Sequence, residues 1–159
     1  MQIIGDFQTS VDRALSEIDA NWREFKGLIV CGTHAPENVD AQLLAIQEAR
    51  ERGLPFLGIC HGHQLAAVEY ARNVIGYKNA DSEEWGGGDH IVVKLPQLKV
   101  GLHDEETYWN NYEVLPGFID LWKKPDSFFT CQFHPEYQSS KDKPHPLLVQ
   151  FLNHAKMAM

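Results

Sequence analysis

Cys60 stands between Gly58 and Gly62 in the stretch "PFLGICHGHQLAAVEYARNVIG", which runs from Pro55 to Gly76. A short apolar run precedes it and a helix-like pattern follows. Where a chain turns sharply from a strand into a helix, the corner residue is lifted above the sheet edge. Glycines two positions away on either side relieve the crowding, which is the nucleophile-elbow arrangement with Cys in place of Ser. The partial positive charge at the helix N-terminus favours a thiolate there. The backbone N–H of His61 points where an oxyanion forms in acyl transfer. The plain alternative is a buried Cys whose glycine neighbours only pack closely, and the spacing alone does not decide between the two.

A nucleophile of this kind needs a base, and the base needs an orienting group. The chain has eight His. His61 and His63 adjoin Cys60, but residues next to an elbow nucleophile rarely reach back to it, and His63 belongs to the following helix. His134, in "CQFHPE", comes after an apolar strand run, and Pro135 biases it toward extended backbone. In an extended segment residues two apart face the same way, so Glu136 lies beside His134. A carboxylate there orients the imidazole and stabilises its charged form. An ordinary strand end is the competing explanation. The pattern nominates Cys60 as nucleophile, His134 as general base and acid, and Glu136 as orienting carboxylate. A metal site built from Cys60, His61 and His63 is disfavoured, because ligands on a tight turn and the helix after it rarely converge tetrahedrally. No metal and no cofactor are expected.

Elements that can hold such a corner are visible along the chain. "QIIGDF" suits a first strand. Residues 10–22 read as a helix with Ser10 as N-cap and Val11, Leu15 and Ile18 on one face. "GLIVCG" (27–32) suits a buried parallel strand. After the loop "THAPEN", a helix over about 38–52 buries Val39, Leu43 and Ile46, with Gly53 as its C′ residue and Pro55 as its stop. "PFLGIC" is the next strand and "HQLAAVEYARNVIG" the next helix. This alternation predicts an α/β fold with a parallel sheet. Further on, "EEWGGGDH" (83–90) reads as a loop, and "IVVKL" and "SFFTCQF" (127–133) as strands. "HPLLVQFLNHAKM" reads as an amphipathic helix with Leu148, Phe151 and Leu152 facing inward. The stretch 99–125, with "YWNNYEVLPGF", carries no pattern that assigns it.

The 159 residues suffice for one domain with its own core. A chain 43% apolar and 23% charged reads as globular rather than disordered. The net charge of −8 disfavours nucleic acid and anionic membranes as partners. There is no apolar run of membrane-spanning length, and "MQIIGDFQTS" lacks the pattern of a signal peptide. Three Cys in no regular framework suggest reduced thiols and a cytoplasmic setting.

"GICHGHQ" together with "CQFHPE" resembles the class I glutamine amidotransferases, whose triad is Cys, His and Glu. "PFLGIC.G.QLA..EYARNV.G", "ADSEEW" and "QFHPEYQSSKDKPHPLL" are similar in particular to the amidotransferase domain of CTP synthase and its small stand-alone relatives. The resemblance covers residues 27–85 and 106–154. It implies one flavodoxin-like domain over 1–159, with a mostly parallel central sheet and helices on both faces. No synthetase domain is expected in these 159 residues, which hold no Gly-x-x-x-x-Gly-Lys-Ser/Thr phosphate loop, so the chain is not expected to make CTP by itself. The implied reaction is hydrolysis of a side-chain amide, glutamine or a related small molecule, through a thioester with release of ammonia. A synthetase subunit or another ammonia acceptor is the implied partner. The oxyanion hole would use the N–H of His61 and one from the Gly32–Thr33 loop, and Gln64 and Glu84 would line the glutamine site.

The chain departs from the family pattern at three of these places. The family loop Pro-Gly-Gly-Phe-Gly is here Cys31-Gly32-Thr33-His34-Ala35, and Thr33 resists backbone conformations open to glycine, which would displace the oxyanion donor. His61 replaces the usual Leu and is expected to face solvent. Asn111 stands where an Arg before Tyr-Glu-Val holds the α-carboxylate of glutamine, and an Asn cannot form that bidentate charged pair. This points to a substrate with no free carboxylate at that place, or to another residue in the role of the Arg. Two other functions fit the same fold. One is a binding or regulatory subunit, which would need none of the three triad residues. The other is a Cys hydrolase of another class, which the His-Pro-Glu motif disfavours.

Overall fold

The computed structural model describes residues 1–159. In chain order its elements are β1 (Gln2–Ile4), α1 (Gln8–Ile18), β2 (Leu28–Val30), α2 (Val39–Glu51), β3 (Phe56–Ile59) and α3 (His61–Tyr70). They continue with β4 (Ala80–Ser82), β5 (Asp89–His103), β6 (Glu106–Val114), α4 (Pro116–Ile119), β7 (Phe128–Cys131) and α5 (Pro146–Met157). β1, β2, β3 and β7 form an all-parallel sheet in the order β1-β2-β3-β7.

These strands are short continuous apolar runs because both of their faces are covered. Successive side chains alternate between two cores. Leu28, Val30, Phe56 and Phe128 pack with Leu43 and Ile46 of α2 and Leu65 and Val68 of α3. Ile29, Leu57, Ile59, Phe129 and Cys131 pack on the other face with Val11 and Leu15 of α1 and Leu148, Phe151 and Leu152 of α5. The α/β architecture expected from the sequence, with helices on both faces of a parallel sheet, is the one observed.

α1 differs from its expected bounds. It starts at Gln8, so Ser10 lies inside the first turn and does not cap it. The N–H groups of Asp6 and Phe7 both donate to Gly32 O, at 2.9 and 3.3 Å, and this tie to the β2 loop sets where the helix begins. It ends at Ile18, and residues 22–24 form a separate 3-10 turn that buries Trp22. α2 follows its expected course, with Gly53 after it at φ 65°.

α3 is buried from His61 through Glu69, enclosed between the parallel sheet and a second sheet. Its one buried carboxylate, Glu69, receives Nε and Nη2 of Arg50 from α2, at 2.9 and 2.8 Å. After Tyr70 the helix widens into a π segment, Ala71–Ile75, which closes on Gly76 at φ 87°.

The second sheet has the order β4-β5-β6, with β5 and β6 antiparallel. It accounts for most of the unassigned stretch. β5 and β6 form a long hairpin closed by the two-residue turn Asp104–Glu105, both at positive φ (50° and 69°). The register shifts between Lys94 and Lys99. Pro96 sits within that irregularity, as expected for a residue that cannot donate to the ladder. No helix is long and apolar enough to cross a membrane.

Candidate active site

β3 ends at Ile59 and α3 begins at His61, which leaves Cys60 as the corner. Its backbone sits at φ 55°, ψ −103°, a region that non-glycine residues occupy only when the surroundings impose it. The surroundings here are a main-chain bond from Cys60 N to Cys131 O (2.8 Å) and one from Gln64 N back to Cys60 O (3.1 Å). The flanking glycines are sterically required. A Cβ on Gly62 would overlap Val30 O, and one on Gly58 would come within 2.9 Å of Gly62 backbone.

His134 and Glu136 follow β7, the strand beside β3. His134 Nδ1 lies 2.7 Å from Glu136 Oε1, and both side chains are fully buried. The loop that carries them is held from two sides. Arg13 of α1 donates to Glu136 O at 2.6 Å and to Ser139 O at 3.3 Å. From the hairpin, Thr107 O accepts the N–H of His134 at 2.7 Å.

His134 Nε2 and Glu136 Oε2 make no hydrogen bond. Burial pulls the His134 pKa down, but interaction with Cys60 and Glu136 outweighs it and raises the value to about 10. The ring therefore favours its imidazolium form beside these two groups. The other two thiols are held protonated, chiefly by burial. Cys31 is raised to about 12, and Cys131 is raised well above its ordinary value.

Beside the Cys60 sulfur lies a cavity of about 110 Å³, lined in part by Thr33, His61, Gln64, Glu84, Asn110 and Asn111. It has room for a small molecule rather than one water. The N–H groups of Thr33 and His61 donate to no protein acceptor, so both are free to serve an oxyanion. Thr33 does not adopt positive φ; it fits its loop, and its hydroxyl bonds Asp6 Oδ2 at 2.7 Å. The retained glycine, Gly32, is the one that packing demands, because a Cβ there would lie 2.7 Å from the Phe7 ring and 3.0 Å from His134. Phe7, His34 and Trp109 form an aromatic rim, with the Phe7 ring 5.3 Å from that of His134.

His61 does not face solvent. Its side chain is 3% exposed, neither ring nitrogen has a partner, and burial lowers its pKa to about 4. It shares the cavity wall with Thr33 and His34 of the β2 loop and with Trp109 and Asn110 of the hairpin, all distant in sequence. His63 turns elsewhere, with Nδ1 3.1 Å from Thr130 Oγ1. Asn111 is exposed at the cavity mouth, and Glu84 is half-buried with its pKa raised by burial.

Two residues at this site were missed in the sequence. Gln132 Nε2 lies 3.5 Å from the Cys60 sulfur, and Gln132 Oε1 accepts from Gln64 Nε2 at 3.1 Å. Its signal was its place two residues before His134. Asn110 is buried; its Nδ2 donates to Tyr112 O at 2.9 Å, and its Oδ1 has no partner.

Residues 6–116 match the model of the family described as glutamine amidotransferase class-I. The chain is 29% identical to the CTP synthase of Dictyostelium discoideum, over 87% of this chain and 35% of that protein. It is 31% identical to the CTP synthase of Thermomicrobium roseum, over 89% of this chain and 35% of that protein. It thus spans about a third of the length of these relatives. Among solved structures, the glutaminase domain of Trypanosoma brucei CTPS with bound acivicin superposes with a TM-score of 0.75 at 19% identity, covering 100% of this chain and 95% of that one; it shares the fold. The family match takes in both β2 with its loop and the whole strand–corner–helix unit around Cys60, and on that ground the chain belongs to the class I glutamine amidotransferases.

Proposed function

We propose that this chain hydrolyses a side-chain carboxamide, glutamine or a related amide, through a thioester on Cys60. The observation that carries the reading is the strained corner at Cys60, set beside a buried His134–Glu136 pair and two unengaged N–H groups. With the proton already held on His134 Nε2, the Cys60 sulfur attacks the amide carbon. The N–H groups of Thr33 and His61 hold the oxygen as it becomes negative. The C–N bond then breaks while His134 returns the proton to nitrogen, which releases ammonia. Water, deprotonated by His134, attacks the thioester; the acid leaves and the thiolate re-forms. Glu136 keeps the imidazole in place and stabilises its charge. Ammonia would pass to a synthetase subunit or another acceptor, in keeping with the larger proteins that the chain resembles.

The test is ammonia release from a panel of amides, with Cys60→Ala as the blank. Cys60→Ala and His134→Ala should each abolish nearly all release, and the double variant should be scarcely worse, because the two act as one unit. Under native conditions an electrophilic thiol reagent should label Cys60 well before Cys31 or Cys131, whose thiols burial holds protonated. Equal labelling of the three, read by peptide mapping, would remove the nucleophile from the scheme.

A further inference from the structure

The Cys60 sulfur has neighbours other than His134. Directly after β7, Gln132 places its Nε2 3.5 Å from the sulfur, and from β6 the main-chain oxygen of Trp109 lies 3.8 Å away. One contact offers the sulfur a donor and the other an acceptor. The way the Gln132 amide faces therefore decides what the sulfur meets.

The surrounding hydrogen bonds fix that orientation. They start at Tyr112 O, a main-chain carbonyl on β6 that can only accept. Gln64, 3% exposed on the first turn of α3, sets one end of its amide 2.9 Å from this oxygen, so that end is its NH2. The same NH2 lies 3.1 Å from the near end of the Gln132 amide, which must accept and is therefore Oε1. Gln132 is left with its NH2 turned to the sulfur. Were either amide reversed, two oxygens or two NH2 groups would face each other.

A donor aimed at sulfur distinguishes its two protonation states. A thiol accepts weakly, whereas a hydrogen bond to an ionised group is about twice as strong as one between neutral partners. The Gln132 N–H thus adds to the imidazolium of His134 in favouring the thiolate. In a reaction through a thioester it acts twice, on the attacking sulfur and on the same sulfur as it leaves.

We propose that Gln132 is a further catalytic residue, which points an N–H at the Cys60 sulfur and holds it as thiolate, and that Gln64 positions the Gln132 amide from Tyr112 O of the hairpin. The inference rests on the reading of Cys60 as nucleophile and gives Gln64 a role that needs no substrate. Through these contacts the seating of β6 on α3 bears on the reactivity of a residue at the edge of the other sheet.

The test is the pH dependence of Cys60 alkylation by iodoacetamide, read by peptide mapping. The rising limb reports the thiolate of the Cys60–His134 pair. The other titratable groups about the sulfur are Cys131 and Tyr137, which feel its charge, Glu136 behind His134, and His34, His61 and Glu84 around the cavity. None of them is altered in the variants. Gln132→Leu should raise the midpoint by about one pH unit, which reads as about tenfold slower labelling on the rising limb. Gln132→Glu sets a carboxylate against the sulfur and should raise it further. Gln64→Leu frees the Gln132 amide to turn its oxygen to the sulfur. It should reproduce most of the Gln132→Leu shift and add nothing in the Gln132→Leu background. A fault of packing alone would alter the plateau rate and leave the midpoint in place. A variant that unfolds would label all three Cys equally, and the remaining variants then decide. Midpoints unmoved in Gln132→Leu and Gln132→Glu would overturn the inference and leave the hydrolase reading standing. Additive shifts from Gln64→Leu and Gln132→Leu would overturn the part given to Gln64. Shifts in the expected order, with no amide hydrolysed by the wild-type protein, would sustain the inference and remove the hydrolase reading.

Discussion

At the level of single residues, His134 carries the clearest consequence. Burial works against its positive charge, yet Cys60 and Glu136 hold its pKa near 10. A raised folded-state value means that the associated stability is fully present below the unfolded value of about 6.5 and is lost as pH rises through about 10. In the proposed reaction the same protonated ring is the acid that departing ammonia needs. Glu136→Gln keeps the shape and removes one of the groups that raise the pKa. It should therefore move the alkaline limb of the kcat/KM profile to lower pH and reduce stability between pH 7 and 9. A limb that stays in place would mean that Glu136 does not set the charge on His134. The three residues proposed to react were legible in the sequence because residue type and local spacing name them: an elbow for Cys60, an i, i+2 pair for His134 and Glu136. Gln132 and Asn110 were not, because an amide has no motif of its own and matters only through what lies across from it. His61 was misplaced for the same reason. Thr33 and His34, which share its cavity wall, come from nearly thirty residues upstream, and the hairpin residues Trp109 and Asn110 from further downstream.

At the level of elements, the strand–helix units were readable because a strand buried on both faces is an apolar run whatever its neighbours are. The β5–β6 hairpin was not. Its outer half alternates apolar side chains, Leu98, Val100 and Leu102, that are exposed, and the break between Lys94 and Lys99 disrupts the period. Its turn also departs from the usual chemistry, because a two-residue turn with both φ positive favours Asn-Gly or Asp-Gly, and the chain uses Asp104–Glu105. A non-glycine residue in that conformation costs roughly 1–2 kcal/mol, part of which glycine gives back through the entropy of the unfolded chain. Glu105→Gly should accordingly stabilise the protein by about 0.5–1 kcal/mol. The bond that Gln138 makes to the hairpin survives, since it ends on the main-chain oxygen of residue 105. A higher urea midpoint with an unchanged slope would bear this out; a lower one would show that the Glu105 side chain stabilises the turn.

For the molecule as a whole, two buried imidazoles set its response to acid. Burial lowers the pKa of His61 to about 4 and that of His63 to about 3. Both values lie below the unfolded one, so their effect is absent above pH 6.5. As pH falls, the unfolded chain takes up protons that the folded one refuses, and stability drops. By pH 4 each ring should account for roughly 3 kcal/mol of loss. His63→Leu should lower stability at pH 7, where it breaks the contact with Thr130, yet flatten the decline between pH 6.5 and 4. Denaturant titrations across that range would show it, and an unchanged slope would clear His63 of the role. The two sheets also meet at a place that can be watched directly. The N–H of His134, on the loop after the parallel sheet, is held by Thr107 O of the hairpin. That hydrogen can exchange with deuterium only while the hairpin is lifted off. The exchange rate of this one amide is therefore a meter of the fraction of molecules in which the site stands assembled, and any occupant of the cavity that also grips the hairpin will slow it in step with its own occupancy.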